Sequence, residues 1–279
     1  MKIQFLGTAA YEGIPAMFCN CKTCRTSMEK GGKNMRSRSQ AIINDELLLD
    51  FPADTAWHFQ RFHLDWEKIS DCLITHSHSD HLYPMDLEMI APAYTHEHSF
   101  IHFHAGESGY RMIKEVMDRP HIAESMKRMM AVSLVEPGKR FVVGENGKYS
   151  VLPLWADHAQ NSSPVIYSIT CEGKRILYAH DSGVFCEETW EKLKEEGRYD
   201  LVSLDCTGGG KKGWREGHLC LETDLEVFEQ MQAMNLIDEK TVRVINHFSH
   251  NGERTYEEMC AEADAYGIVV SYDGLELEF

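Results

Sequence analysis

The sequence predicts an α/β fold in which strands and helices alternate along the chain. Short apolar or β-branched runs recur from Lys2 to Phe279, and segments with helical spacing of apolar residues lie between the later ones. No repeat, low-complexity tract or linker interrupts this alternation. With 279 residues and 43% hydrophobic content the chain can bury a sizeable core, and residues 1–279 are expected to form a single domain.

In order, Lys2 to Leu6 reads as a first strand ending at Gly7. Leu47-Leu48-Leu49-Asp50 reads as another, buried on both faces and halted by Phe51-Pro52. Cys72-Leu73-Ile74 is a third apolar stretch. From Phe141 to Leu154 two extended segments flank Glu145-Asn146-Gly147, a hairpin signal, and Val165 to Tyr178 repeats the plan around Glu172-Gly173. Leu225, Phe228, Met231 and Met234 predict a helix over Thr223 to Ile237, followed by a strand from Thr241 to Asn246. Thr255 and Glu258 form a capping box on a helix that Gly267 should end. Ile268 to Ser271, an Asp273-Gly274 turn and Leu275 to Phe279 predict a closing hairpin.

The formal net charge of −16 argues against binding large nucleic acids through their phosphate backbone, which needs clustered Lys and Arg. A small anionic substrate remains compatible, because local cations dominate within a Debye length of about 8 Å. Met1 to Gly7 has too short an apolar run for a signal peptide, and no stretch approaches the roughly 20 residues of a membrane span. A cytoplasmic protein with no membrane partner is expected. Nine cysteines without a secretion signal point to free thiols and metal ligation rather than disulfides.

The chemistry centres on Thr75-His76-Ser77-His78-Ser79-Asp80-His81, an HxHxDH run directly after an apolar strand. Alternate residues of an extended segment point the same way. His76 and His78 can therefore share one metal, while Asp80 and His81, past the strand end, turn toward a second. A dinuclear hydrolytic site needs about seven protein groups, and His158, Asp181 and His247 each stand just after a predicted strand, where a rigid scaffold delivers a side chain to a cleft. Cys19, Cys21 and Cys24 form CxCxxC, which lacks one ligand of a tetrahedral structural zinc, and His250 can supply it. The other six cysteines read as core thiols.

These residues resemble the metallo-β-lactamase fold superfamily and, within it, the PhnP-like phosphodiesterases of the carbon–phosphorus lyase pathway. The resemblance rests on Cys19 to Cys24, the HxHxDH run, Leu204-Asp205-Cys206, Gly217-His218 and Asn246-His247-Phe248-Ser249-His250. It implies a metallo-β-lactamase-like αββα four-layer sandwich. It also implies that His76, His78 and His158 hold one metal, that Asp80, His81 and His247 hold the other, and that Asp181 bridges them. The second histidine, His250, closes a Cys3His zinc site, and the family suggests a homodimer. One departure is local: Leu82-Tyr83-Pro84-Met85 follows the motif where the family often has a glycine.

Two divalent metals, Zn, Mn or Fe, can share a hydroxide at neutral pH and neutralise charge on a phosphoryl group, which suits hydrolysis of small or cyclic phosphodiesters. An alkoxide leaving group benefits from a general acid. Asp80 and His218 are the candidate catalytic residues. His218 lies in a glycine-rich loop, Gly208 to His218, that can move and whose Lys211, Lys212 and Arg215 can meet an anion. Asp205 is expected to orient a ligand or this loop, and Arg36 and Arg38 read as a solvated face. The histidines at 96, 98, 102 and 104 read as structural or exposed because no acidic residue completes them, and His58, His63, His121 and His180 are background. Competing functions on the same scaffold are a tRNA 3′-processing nuclease, a lactonase or a thioesterase. A zinc-stabilised binding protein without turnover is the alternative of another class.

Overall fold

A computed structural model describes residues 1–97 and 99–279; His98 lies outside the described residues. Among these, the strands are β1 (Lys2–Gly7), β2 (Gln40–Ile43), β3 (Leu47–Leu49), β4 (Asp71–Leu73), β5 (Ile101–Ala105), β6 (Met130–Leu134), β7 (Phe141–Val143), β8 (Tyr149–Trp155), β9 (Val165–Cys171), β10 (Lys174–Ala179), β11 (Leu201–Asp205), β12 (Val242–Asn246), β13 (Val269–Val270) and β14 (Leu275–Glu278). The helices are α1 (Lys22–Lys30), α2 (Thr55–Phe62), α3 (Glu107–Met117), α4 (Ala123–Met129), α5 (Glu187–Glu196), α6 (Leu221–Ala233) and α7 (Tyr256–Ala263).

The strands form two seven-stranded mixed sheets, ordered β14-β1-β2-β3-β4-β5-β6 and β13-β12-β11-β10-β9-β8-β7. Period-2 alternation explains how they stack. In β1, Ile3 and Phe5 point between the sheets, while Leu6 points to the opposite face. The same alternation sends Tyr167 and Ile169 of β9 into the inter-sheet core and Ile166 outward. Ile113 and Val116 of α3 cover the outer face of the first sheet, and Trp190 of α5 and Phe228 of α6 that of the second. The result is the expected αββα sandwich. Complete burial of a side chain such as Phe5 contributes about 2 kcal/mol.

Both internal hairpins form as expected. β7 pairs antiparallel with β8 across Asn146 at φ 57°, and β9 pairs with β10 across Glu172 and Gly173, both with positive φ as a tight hairpin turn requires. The Thr255–Glu258 capping box is present, and Gly267 at φ 64° ends the segment after one 3₁₀ turn. α6 differs from expectation. It begins at Leu221 and stops at Ala233, because the Cys220 side chain takes the N-cap and leaves Thr223 at the third helical position. Its buried stripe includes Leu221, Val227, Phe228 and Met231, whereas Leu225 and Met234 are only partly buried.

The closing hairpin does not form. β13 runs parallel to β12 in the second sheet, while β14 crosses to the first and pairs antiparallel with β1, Phe5 facing Leu275. Two anchors carry the chain across. The Asp273 carboxylate accepts bonds from Thr8 Oγ1 and the Ser37 backbone N–H, each at 2.7 Å, and Gly274 N–H donates to the Phe5 carbonyl at 2.7 Å. Arg36 also differs. It is buried, donating to Thr8 Oγ1 and to the Ser271 carbonyl, and its guanidinium lies 4.2 Å from the Phe248 ring centroid. Arg38 pairs with Asp54 at 3.0 Å.

What positions the site is strand direction. β3 and β4 are parallel, as are β10, β11 and β12, and β8 shares the direction of β10 because β9 reverses between them. Their carboxyl ends therefore open along one edge, the usual place for ligands on parallel sheets.

Candidate metal centre

Each expected metal-site residue sits just beyond a strand carboxyl end. His76, His78, Asp80 and His81 follow β4, His158 follows β8, Asp181 follows β10 and His247 follows β12. Asp181 and His247 at these exits, and Asp50 at the end of β3, hold positive φ of 49°, 62° and 68°. Such backbone costs about 1–3 kcal/mol each and concentrates where a side chain must be aimed.

The structure brings all seven together in two groups, His76 with His78 and His158, and Asp80 with His81, Asp181 and His247, each spaced so that it could hold a metal ion. His158 Nε2 lies 3.1 Å from His78 Nδ1. Asp181 connects the groups: its Oδ2 is 2.6 Å from His81 Nε2, 3.2 Å from His247 Nε2 and 3.4 Å from His76 Nε2. Asp80 Oδ2 stands 3.5 Å from His81 Nε2 and 3.6 Å from His247 Nε2.

The electrostatics show a site built for positive charge. Burial opposes ionisation of Asp181, yet His247 and His81 hold its carboxyl well below the usual range. Burial would likewise lower His247, but Asp181, with hydrogen bonds to Asp205 and Asp80, raises it to about 10. His81 rises well above its ordinary value against burial, through Asp50, Asp181 and Asp80. His76 goes the other way, driven down by burial and by His81, and its buried Nε2 has no hydrogen-bond partner. A lone pair stranded beside buried carboxylates fits a metal ligand.

Outer contacts orient the ligands. Asp50 Oδ2 bonds His81 Nδ1 at 2.7 Å while its Oδ1 accepts from Thr75. Thr207 Oγ1 contacts His247 Nδ1 at 2.8 Å, and the Gly217 carbonyl contacts His158 Nδ1 at 3.1 Å. Asp50 and Thr207 were not singled out in the sequence. Asp50 ends a buried strand as Asp181 does, which was a readable signal, whereas Thr207 carried none. Asp205 occupies its expected place, accepting from the N–H groups of Thr207, Leu219 and Asp181 and reaching His247 Nδ1 at 3.3 Å.

His218 reaches the site with Nδ1 3.2 Å from both Asp205 Oδ2 and Asp181 Oδ1. Burial lowers its proton affinity, but Asp205 and then Asp181 more than offset this and raise it. The loop carrying it corrects one expectation. Lys211, Lys212 and Arg215 face Glu253, Glu222 and Glu226, and among the described residues no Lys or Arg lines the cleft. Gly208, Gly209 and Gly210 pack closely, a Cβ on Gly209 standing 2.9 Å from Gly252 Cα, whereas Gly213 has open space around it. Trp214 from this loop, with Tyr11 and Glu12 from the N-terminal segment, walls a cleft of about 490 Å³ over the centre.

The second set also assembles. His250 Nδ1 lies 3.6 Å from Cys19 Sγ and 3.5 Å from Cys21 Sγ, and Cys24 completes four ligand atoms in mutual reach. Burial opposes the Cys21 thiolate, but the Cys24 N–H and His250 lower its pKa to about 6, while burial pushes Cys24 up to about 12. All nine cysteines are free. Among the other histidines, His58 is buried against Gln40 and Ser37, and His180 against Ser203 and Asn246. His96 is exposed, and the expectation for His98 falls outside the described residues. For His102 and His104 only the premise fails: Asp71, brought alongside by strand pairing, supplies the acidic partner that the sequence lacked nearby.

The model of the β-lactamase superfamily domain matches residues 49–238, which hold the HxHxDH run, His158, Asp181 and His218. The chain belongs to the metallo-β-lactamase superfamily, a superfamily of metal-dependent hydrolases. Solved structures similar to this chain over essentially both lengths include a diphosphatase of the PhnP family (21% identity, TM-score 0.72, 100% of this chain and 97% of that one). Zinc-bound PqqB from Methylobacterium extorquens is 20% identical, with TM-score 0.71 and complete coverage of both chains. The short form of human tRNase Z is 16% identical, with TM-score 0.62 and coverage of 100% and 99%. At these identities the likeness is one of fold. No curated protein matches the chain in sequence. No helix among the described residues is long and apolar enough to cross a membrane.

Proposed function

We propose that this superfamily member is a dinuclear metal-dependent phosphodiesterase acting on small or cyclic phosphodiesters. The observation that carries the reading is Asp181, whose Oδ2 stands between two groups of ligands while its Oδ1 faces the candidate acid His218. The orphaned His76 Nε2 and the protons drawn onto His81 and His247 fit the same reading. His76, His78 and His158 would hold one divalent metal, Asp80, His81 and His247 the other, with Asp181 shared; Zn, Mn and Fe all suit this donor set. Bound there, such metals would supply an activated water and neutralise charge on the phosphoryl oxygens.

The chain's own residues handle orientation and the proton. Asp205 holds His218 through Nδ1 and favours its protonated form, so the opposite ring nitrogen can donate to a leaving alkoxide in the cleft. Asp80 shares the load of fixing His81 and His247. Cys19, Cys21, Cys24 and His250 would hold a structural zinc that ties the cleft-lining Tyr11–Glu12 segment to the turn after His247. The names diphosphatase and tRNase Z, borne by two similar structures, point to phosphoryl substrates. The acidic chain and a cleft without Lys or Arg favour a small substrate over a long nucleic acid.

That same lack of cleft cations favours a second reading, hydrolysis of a neutral ester such as a lactone. Turnover of bis(p-nitrophenyl) phosphate, ribose cyclic phosphates, 2′,3′-cyclic nucleotides and a simple lactone, after Mn or Zn loading, separates the two. Phosphodiester turnover that His158→Ala abolishes supports the proposal; lactone turnover alone rejects it. A homodimer, proposed from the resemblance, is tested by light scattering.

A further inference from the structure

Asp71, His102 and His104 form a separate constellation at the far end of the sandwich from the cleft. Asp71 opens β4 and His76 follows its end, so about five residues of extended chain, on the order of 16 Å, lie between them. Strand register sets Asp71 beside His102, and the i,i+2 spacing on β5 turns both imidazoles to one side. His104 Nε2 is 2.8 Å from Asp71 Oδ1, the two imidazole centroids are 4.3 Å apart with planes 30° from parallel, and Phe141 stacks on His104 at 5.1 Å. Ser70 Oγ and the Gly144 N–H hold Asp71 Oδ2 at 2.7 and 3.0 Å, and Ser133 Oγ lies 2.8 Å from His102 Nε2.

Asp71 and His104 are buried, and with half-buried His102 they line a cavity of about 470 Å³. Two cations also line it, but Lys139 is paired with Glu136 and Arg140 with Glu196. Neither cation is therefore free to neutralise Asp71.

We infer that Asp71, His102 and His104 form a divalent transition-metal site distinct from the catalytic cleft. Their ligand atoms all lie within 4.8 Å of one another, the spacing that also defines the groups in the cleft. Two imidazoles and a carboxylate make a borderline donor set that suits Zn, Ni or Co rather than Ca or Mg. The cavity leaves room for water to complete the shell, while Ser70 and the Gly144 N–H orient the carboxylate from behind. The ion would clamp the start of β4, the strand that leads into the HxHxDH run, to its neighbour β5.

The site stands independently of the proposed activity. Metal-stripped full-length protein is titrated with zinc and with nickel, and bound metal is counted by mass spectrometry after dialysis, for the wild type and for His102→Ala and Asp71→Asn. The wild type should bind one equivalent more than either variant, with the variants' hydrolytic rates unchanged. Equal stoichiometry in the wild type and His102→Ala overturns the site. Should Asp71→Asn fail to fold, His102→Ala still decides, because His102 is half-exposed and its removal leaves the Asp71–His104 bond in place.

Discussion

The Nδ1 atom of His218 lies 3.2 Å from Asp205 Oδ2, a carboxylate with no exposure to solvent. This contact favours the protonated form of His218, which lines the cleft. His218→Ala should spare metal binding yet slow substrates with poor leaving groups by roughly 10²–10⁴-fold, the ordinary worth of a general acid. p-Nitrophenyl esters, whose leaving group needs no proton, should change far less. Equal losses on both would count against the acid role.

Asp205→Asn extends that argument to pH. His218 is raised mainly because Asp205 overcomes burial, so its protonated form persists to higher pH than in a free histidine. Neutralising Asp205 should move the alkaline limb of the rate profile for alkyl phosphodiesters to lower pH. An unmoved limb would show that another group supplies the proton.

Metal affinity should rise with pH. In the metal-free fold His247 is raised to about 10, so a proton stabilises the fold below the ordinary histidine range and that contribution disappears as pH climbs through about 10. A metal must displace this proton. Chelator competition at pH 7, 8 and 9 should therefore show tightening zinc binding, and the stripped protein should melt at lower temperature at pH 9 than at pH 7. Flat affinity would place His247 outside the ligand set.

Asp50 bonds His81 Nδ1 at 2.7 Å from behind. Asp50→Asn should weaken zinc or manganese binding by about 10–100-fold, the usual effect of losing an orienting partner. Calorimetry on the stripped variant measures it directly.

Cys21→Ser should release one zinc per chain. Its effect on stability is read in the thermal midpoint, which moves by roughly 2–4 °C for each kcal/mol lost in a domain of 150–250 residues. Unchanged metal content would remove the Cys3His zinc.

The sequence by itself determined local matters. HxHxDH is legible because its residues are close neighbours in the short stretch and turn just after β4, and His158, Asp181 and His247 because each follows an apolar run. The Thr255–Glu258 box and the Gly173 turn are legible because a cap and a turn need nothing beyond a few adjacent residues. Tertiary structure alone decided what depends on residues far apart in the chain. β14 left its expected hairpin partner because Asp273 and Gly274 find bonds on Thr8, Ser37 and Phe5, more than 200 positions away. The Lys211, Lys212 and Arg215 charges were spent on surface carboxylates rather than the cleft. Asp71 met His102 and His104 only through strand pairing. Hydrophobic periodicity specifies which face of a strand is buried, but hydrogen-bond register and charge pairing between distant segments are settled when the sheets assemble.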